Sequence, residues 1–264
     1  MINQAKICIV LASSLPNQCE KADKLSEDLA LPISYSFDNP YEYHLVYTDF
    51  RLELQHNPYR TNKRQNSVYV DFLHQDTIHR RITSANKKNP LPRAAGVKTG
   101  IRPSIIDVTA GYGTDSMVLA WFGCKVTLIE RSPVIHALLL DGIERAKKNE
   151  ILSGIITSNI SLIQGDSNII LQRKSCAADT IIVDPMYPAN VKGPLNKKEM
   201  RIIRDIVGDD ADNEKLLHIS LQTAGKRVAV KRPKGAKSLS AHPKPTYVVP
   251  MKSGRFDVYL IDHL

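Results

Sequence analysis

The most chemically informative stretch of the sequence is a carboxylate followed by an aromatic residue between two prolines, Asp184-Pro-Met-Tyr-Pro188. It follows the apolar run 181–183, which is typical of a buried strand. The prolines stiffen the backbone, so Asp184 and the Pro185 carbonyl can accept the two hydrogens of an exocyclic amine while Tyr187 stacks on the base. This positioning turns the nitrogen lone pair towards a methyl donor and favours methylation of a base amine. The alternative is an ordinary exit from a strand into a loop.

A glycine pair, Gly111 and Gly113, lies between the apolar runs 105–108 and 117–122. This order is typical of a strand, a tight turn and a helix start, where an open α/β sheet binds a nucleotide-like cofactor. Glycine allows the backbone to turn with positive φ and to approach a ligand closely. The stretch lacks the third glycine of the dinucleotide fingerprint, so a purely structural turn is the alternative.

Acidic residues stand at the ends of four successive predicted strands: Asp107, Glu130 and Asp184 close their strands, and Asp166 follows the third. Ligands of such sheets bind at the carboxyl ends of the strands. Glu130 stands where an acid accepts hydrogen bonds from ribose hydroxyls in NAD and S-adenosylmethionine (SAM) sites, or it is a surface acid. Asp166 either accepts the adenine amino group or caps the helix that begins near Ser167. The loop 184–188, which suits an exocyclic amine, favours SAM over NAD as the cofactor, because an enzyme that transfers a hydride has no use for such a loop.

From residue 105 onward, strand and helix patterns alternate, which predicts a mostly parallel sheet with helices on both faces, a Rossmann-like α/β fold. The predicted strands are 105–108, 125–130, 160–163, 180–184, 227–231 and 256–261. The predicted helices are 115–122, 132–148, 167–173, 196–207 and 214–225. Ser132 and Pro133 are typical of an N-cap and a first helical turn.

The strand and helix patterns of residues 1–85 predict a small, separate α/β module. Its expected elements are strands at 6–12, 42–48, 50–55 and 67–73 and a helix at 16–29. The stretch 84–102 is polar, basic and contains prolines, so we expect an exposed connector there. The main domain would then span residues 86–264.

Composition narrows the class of protein. The chain has 264 residues, 42% hydrophobic and 24% charged, which is typical of a globular protein. No apolar run is long enough to cross a membrane. The four cysteines are scattered without a CxxC pair, so we expect a reducing, cytoplasmic setting and no metal site.

The net charge of +9 is concentrated near the C-terminus, because residues 185–264 carry 15 Lys/Arg against 8 Asp/Glu. This excess predicts a polyanionic partner, nucleic acid rather than a membrane. Side chains near the predicted active edge could hold an RNA backbone, or they could be solvated surface charges. The candidates for phosphate contact are Arg80, Arg81, Lys197, Lys198, Arg201, Lys231 and Arg232.

Several strings together resemble the bacterial 16S ribosomal RNA guanine-N2 methyltransferases of the RsmJ type. They are Asp107-Val-Thr-Ala-Gly-Tyr-Gly-Thr-Asp115, Ile129-Glu-Arg-Ser-Pro-Val134, Asp184-Pro-Met-Tyr-Pro188, Lys197-Lys-Glu-Met-Arg201, Val230-Lys-Arg-Pro233 and Arg255-Phe-Asp-Val-Tyr259. The resemblance implies a class I, SAM-dependent enzyme that methylates the 2-amino group of one guanine in the 16S rRNA of the small ribosomal subunit.

The resemblance also implies the cofactor contacts, residue by residue. They fall on Thr114, Asp115, Glu130, Arg131, Asp166, Ser167 and Asp184. The sequence departs from the family at Thr114, where arginine is usual, and at Gly165-Asp166-Ser167, where the family has a hydroxyl-rich string.

Two other functions stay open at the level of sequence. The loop at Asp184 suits the amine of adenine as well as that of guanine, so an adenine-N6 methyltransferase acting on DNA or RNA is one alternative. An rRNA-binding assembly factor that keeps the fold without turnover is the other.

Overall fold

The computed structural model describes residues 6–11, 16–60, 67–73, 89–173, 177–185, 206–207 and 212–261. The chain divides into two compact units. The N-terminal unit comprises residues 1–71, 132–145 and 192–209, and the large unit comprises 72–131, 146–191 and 210–264. The domain boundary predicted at residues 85 and 86 falls outside the described residues and stays a prediction.

The N-terminal unit is built on a four-stranded sheet of order β2-β1-β3-β4. Its elements are β1 (Ile7–Val10), α1 (Pro16–Leu29), β2 (Ile33–Ser34), β3 (Tyr43–Tyr47) and β4 (Leu52–His56). β1 runs parallel to β2 and β3, while β3 and β4 form an antiparallel pair. The apolar side chains of β1 are fully buried, which explains why an unbroken apolar run forms this strand.

The strand predicted at 67–73 is wrong, because this stretch contributes a single bridge between Leu54 and Val68. Helix α4 (Pro133–Lys147) belongs mostly to the N-terminal unit. Its predicted cap is confirmed, since the Ser132 hydroxyl oxygen accepts from the Ile135 amide at 3.4 Å.

The large unit is built on a seven-stranded sheet of order β10-β11-β9-β8-β5-β6-β7. Its strands are β5 (Ile105–Asp107), β6 (Val126–Glu130), β7 (Ile160–Gln164), β8 (Thr180–Val183), β9 (Arg227–Pro233), β10 (Tyr247–Pro250) and β11 (Gly254–Leu260). Its other helices are α2 (Pro90–Ala95), α3 (Thr114–Trp121), α5 (Ser153–Asn159), α6 (Ser167–Gln172) and α7 (Asn213–Thr223). β5 to β9 are parallel along the sheet, and β11 is antiparallel to β9 and β10. The predicted mostly parallel α/β sheet is confirmed.

The core of the large unit explains the apolar runs of its central strands. Ile106, Ile181 and Val228 come from three adjacent strands and pack in one buried cluster with Leu217 of α7. Parallel strands covered by helices are buried on both faces and are therefore almost continuously apolar. The parallel pairing also brings the carboxyl ends of β5, β6, β8 and β9 to one edge, which carries the acidic residues.

Three elements of the large unit were not predicted. α2 lies inside the expected connector, because Asn89 caps it through Leu91, Pro90 stands at its first turn and Gly96 ends it with φ 84°. Prolines that suggested a loop therefore begin a helix. β10 escaped notice because its residues are mostly exposed at the sheet edge and lack a regular apolar pattern. α5 is a short helix that follows α4.

The predicted helix 196–207 lies outside the described residues except at 206–207, which are helical. Within the described ranges, no helix is long and apolar enough to cross a membrane. Among the residues that the structure describes, Cys8, Cys19 and Cys124 form no disulfide bond.

Candidate active site

The glycine turn connects β5 to α3 at the carboxyl edge of the large sheet. Gly111 and Gly113 have φ of 53° and 67°, in the left-handed region that favours glycine. The Gly113 amide donates to the Ala110 carbonyl at 2.8 Å, which closes the turn. A Cβ atom built on Gly111 would have as its nearest described neighbour the Thr109 carbonyl oxygen, at 3.9 Å. Among the described residues, none therefore blocks the approach of a ligand to the backbone at Gly111.

Glu130 ends β6, the strand next to the glycine turn, and its side chain is only 7% exposed. Its Oε2 accepts from the Gly111 amide at 2.8 Å, so the acid holds the turn. A carboxylate can accept about four hydrogen bonds, so this contact is compatible with the predicted contact to ribose hydroxyls.

Asp166 and Ser167 begin α6 after β7. The Asp166 Oδ1 accepts from the Asn168 amide at 2.7 Å, which is the helix-cap geometry. The Ser167 hydroxyl donates to the Val108 carbonyl at 2.6 Å and so ties α6 to the end of β5. The cap interpretation of Asp166 is therefore confirmed, and its contact with adenine stays a prediction.

Two residues that the sequence did not single out lie beside these groups. The Asn168 side chain is 6% exposed, and its Nδ2 donates to Asp212 Oδ2 at 2.7 Å. Arg131 pairs with the other oxygen of Asp212 at 3.4 Å. Within the described residues the buried Asn168 Oδ1 has no hydrogen-bond partner. A buried acceptor of this kind suits an amino group supplied by a ligand.

Asp184 directly follows β8, and its backbone amide donates to the Thr109 hydroxyl at 2.7 Å. Its carboxylate accepts from the Lys231 ammonium at 2.7 Å, and the same ammonium contacts Asp115 Oδ2 at 2.7 Å. Lys231 comes from β9, next to β8, and Asp115 from the first turn of α3. We call Asp115, Asp184 and Lys231 the carboxylate–lysine cluster.

The pKa values of one buried acid, Asp107, and of the partly buried Asp184 and Lys231 are shifted at this edge of the sheet. Burial raises the pKa of Asp107 to about 6, although the Ser116 hydroxyl and the Thr109 amide both donate to its carboxylate. Burial also raises the pKa of Asp184, while the Lys231 charge opposes that rise. Burial alone would lower the pKa of Lys231, but the charges of Asp184 and Asp115 outweigh it and raise the pKa. Lys231 is therefore a stable ammonium.

Of the residues predicted to contact RNA, only Lys231 and Arg232 lie in the described part of the chain. Lys231 lies in the carboxylate–lysine cluster. Arg232 is 8% exposed, and its guanidinium donates to the Lys237 carbonyl. The remaining candidates (Arg80, Arg81, Lys197, Lys198 and Arg201) and the stacking residue Tyr187 lie outside the described residues. Pro185 is described, directly after Asp184.

The residues of this edge fit an adenosine-bearing cofactor. No described residue blocks close approach at Gly111, and Glu130 supplies an acceptor at the end of the next strand. Asn168 supplies a buried acceptor with no hydrogen-bond partner among the described residues. In open α/β sheets a cofactor binds across this edge, with an acid on the ribose.

Comparison with known proteins agrees with this fit. The family model for SAM-dependent methyltransferases matches residues 25–261. The SAM-dependent methyltransferase NGO1261 from Neisseria gonorrhoeae has a similar structure, with a TM-score of 0.73 and 28% sequence identity over 98% of this chain and 97% of that one. The fold and the site thus define a class I SAM-dependent methyltransferase, as predicted.

Two relatives narrow the class. The chain is 39% identical over 264 residues, 100% of both chains, to the ribosomal RNA small subunit methyltransferase J of Desulfotalea psychrophila. It is 41% identical over 253 residues to the protein of the same name from Coxiella burnetii, covering 96% of this chain and 97% of the relative. The chain belongs to the ribosomal RNA small subunit methyltransferase J family.

Proposed function

We propose that this protein methylates the exocyclic 2-amino group of one guanine in 16S ribosomal RNA, with SAM as the methyl donor. The observation that carries the proposal is the position of Asp184, fixed at the end of β8 beside the glycine turn and held there by Thr109 and Lys231. The relatives named ribosomal RNA small subunit methyltransferase J support the choice of substrate.

The cofactor contacts follow the carboxyl edge of the large sheet. Gly111, Gly113 and the start of α3 would approach the amino-acid part of SAM, and Glu130 would accept from its ribose hydroxyls. Arg131, Asp166 and Ser167 would surround the adenine. Thr114 and Asp115, at the start of α3, would lie at the amino-acid end of SAM. When bound, SAM supplies an electrophilic methyl group on a sulfonium centre.

The protein's part in the reaction is to orient the guanine amine. One oxygen of Asp184 is engaged by Lys231, so the other can accept one amine hydrogen. The Pro185 carbonyl would accept the second hydrogen, and Tyr187 would stack on the base. These contacts aim the nitrogen lone pair at the methyl group. On transfer, the N–C bond would form as the sulfonium C–S bond breaks, which leaves S-adenosylhomocysteine. The methylated amine would then release one proton to solvent.

The partner would be the 16S rRNA in the small ribosomal subunit, which places the enzyme in the cytoplasm. Arg80, Arg81, Lys197, Lys198 and Arg201 are the proposed phosphate contacts. The excess of Lys/Arg in residues 185–264 supports a polyanionic substrate.

The decisive test replaces Asp184 with alanine and measures methyl transfer to small subunits from a strain that lacks this protein, at saturating SAM. We expect kcat to fall by about 100-fold or more, as when an electrostatic catalytic contact is removed. Circular dichroism checks that the variant is folded. Full methyl transfer by Asp184→Ala would refute the proposed role of the loop.

Mass spectrometry of the modified nucleoside separates the alternatives. N2-methylguanosine is expected, whereas N6-methyladenosine would identify the adenine-specific enzyme. Failure of the wild-type protein to bind SAM would instead favour a non-catalytic assembly factor.

A further inference from the structure

Lys231 was expected to contact an RNA phosphate, yet its ammonium is committed to two carboxylates. The distances from Nζ to Asp115 Oδ2 and to Asp184 Oδ2 are both 2.7 Å, at the short end of the usual range for charge-assisted hydrogen bonds. An ammonium has three N–H donors, and these contacts use two of them. A phosphate could recruit Lys231 fully only by breaking contacts that balance two partly buried acids.

The carboxylate that Lys231 holds is the one assigned to the guanine amine. Lys231 and Asp184 extend from adjacent parallel strands, with Val183 opposite Val230 in the register. The Thr109 hydroxyl fixes the Asp184 backbone amide from β5's side of the edge. Backbone and side chain of Asp184 are therefore held from two directions, by groups on different elements.

We propose that Lys231 is a positioning residue for methyl transfer, which holds one oxygen of Asp184 so that the other faces the guanine amine. The proposal rests on the proposed function and deepens it. Lys231 also links Asp184 to Asp115 at the start of α3, so the amine-binding acid and the cofactor turn share one cation.

The charge of Lys231 has a second consequence, for the protonation of Asp184. Burial raises the pKa of Asp184 and Asp115 raises it further, whereas Lys231 lowers it. Removing the ammonium would therefore raise the pKa of Asp184 again. A protonated carboxyl loses the charge that makes it a strong acceptor for an amine hydrogen. The acid limb of the rate profile should report this change.

The experiment compares wild type, Lys231→Met and Lys231→Arg in methyl transfer to unmodified small subunits between pH 5.5 and 9, with kcat and KM determined separately. We expect Lys231→Met to shift the acid limb of kcat upward by about 1–3 pH units, the usual influence of an adjacent opposite charge. Its KM for the subunit and the salt dependence of binding should stay within about twofold of wild type. Lys231→Arg keeps the charge and should restore most of the wild-type profile.

Lys234→Met is the matched control, because Lys234 is an exposed lysine just after β9. It should leave kcat and its pH profile unchanged. If Lys231→Met instead raises KM and weakens the salt dependence of binding while kcat keeps its pH profile, Lys231 is a phosphate contact and the proposal is wrong. Circular dichroism shows whether Lys231→Met is folded, and Lys231→Gln carries the same test if it is not.

Failure of this inference is distinguishable from failure of the proposed function. If wild type produces no N2-methylguanosine, the function is wrong. If wild type produces it and Lys231→Met has an unchanged acid limb, only the role of Lys231 is wrong.

Discussion

Single residues at the sheet edge serve structure and chemistry together. Glu130 was expected to bind a ribose, and it also holds the Gly111 amide. Asp166 was expected to meet adenine or to cap α6, and the structure shows the cap. In both cases the carboxylate organises the backbone that the cofactor would contact. A substitution at such a position should therefore affect cofactor affinity through two routes.

Glu130 provides a graded test at this scale. Glu130→Gln keeps an oxygen that can accept from the Gly111 amide, whereas Glu130→Ala removes it. We expect SAM affinity to fall by about 10-fold for glutamine and up to about 100-fold for alanine, since hydrogen bonds to charged groups contribute roughly 1.5–3 kcal/mol. Calorimetry with SAM measures both. Glu150→Gln, at an exposed acid, should bind like wild type, and unchanged binding by Glu130→Ala would contradict the assignment.

The elements of the N-terminal unit show how a helix can be fixed against an irregular segment. In α4, Asp141 accepts from the Leu52 amide at 3.2 Å, and the Arg145 guanidinium donates to the Val70 carbonyl. Gly142 lies between these two residues of α4 and packs closely on Val70. The helix and the segment 67–73 thus approach at a position that admits no side chain. This contact was invisible in the sequence because glycine within a helix usually only lowers helix propensity.

Gly142→Ala tests that contact. The added Cβ would lie 2.5 Å from Val70 Cγ1 and 3.1 Å from the Val70 carbonyl oxygen, so the packing must shift. We expect a loss of roughly 1–3 kcal/mol in the free energy of unfolding, despite the better helix propensity of alanine. Urea denaturation followed by circular dichroism measures it.

The matched control is Gly154→Ala in α5, where an added Cβ meets no described atom within 4 Å. That variant should be stabilised by up to about 1 kcal/mol. Equal stabilisation of both variants would show that Gly142 is not close-packed.

At the scale of the whole molecule, charge and titration are unevenly distributed. Residues 1–73 carry 7 Lys/Arg against 9 Asp/Glu, whereas residues 185–264 carry 15 against 8. The positive charge suited to RNA therefore belongs to the C-terminal part of the sequence. The N-terminal unit contains a different titrating group, His44, which is fully buried in its sheet and whose Nε2 lies 3.1 Å from Asn39 Oδ1.

His44 predicts an acid-sensitive stability. Burial lowers its pKa from 6.5 to about 4, so between these values the unfolded chain binds a proton that the folded chain excludes. The contribution of neutral His44 to the free energy of unfolding is therefore fully present above pH 6.5 and is lost as the pH falls towards 4. Between pH 7 and pH 5 we expect this group to lower the free energy of unfolding by about 2 kcal/mol.

Urea unfolding of wild type and His44→Gln at both pH values tests this expectation. The variant should lose less stability on acidification, by about 2 kcal/mol. The comparison with a variant is needed because Asp107, with its pKa raised to about 6, acts in the opposite direction: its contribution falls as the pH rises through that range. Equal losses in both proteins would exclude His44 as the titrating group.

The sequence by itself determined the α/β class, most strands of the large sheet, the glycine turn and the acids at the strand ends. These features are local, because apolar runs, glycine turns and helix caps depend on neighbouring residues. Two predictions from the sequence were wrong. The prolines that suggested a loop at 84–102 begin helix α2, and the segment 67–73, predicted as a strand, forms only a single bridge.

Only the tertiary structure decided which charged groups meet. Lys231 lies 116 residues from Asp115 and 47 from Asp184, and Asn168 lies 44 residues from Asp212. Sheet order brings these side chains together, and no local pattern encodes a contact over such separations. In the sequence, Lys231 lies in a basic run, which suggests a phosphate contact. In the structure its ammonium instead contacts Asp115 and Asp184 in the candidate active site. Arg232 was likewise predicted to contact RNA, but in the structure it is buried and its guanidinium donates to the Lys237 carbonyl.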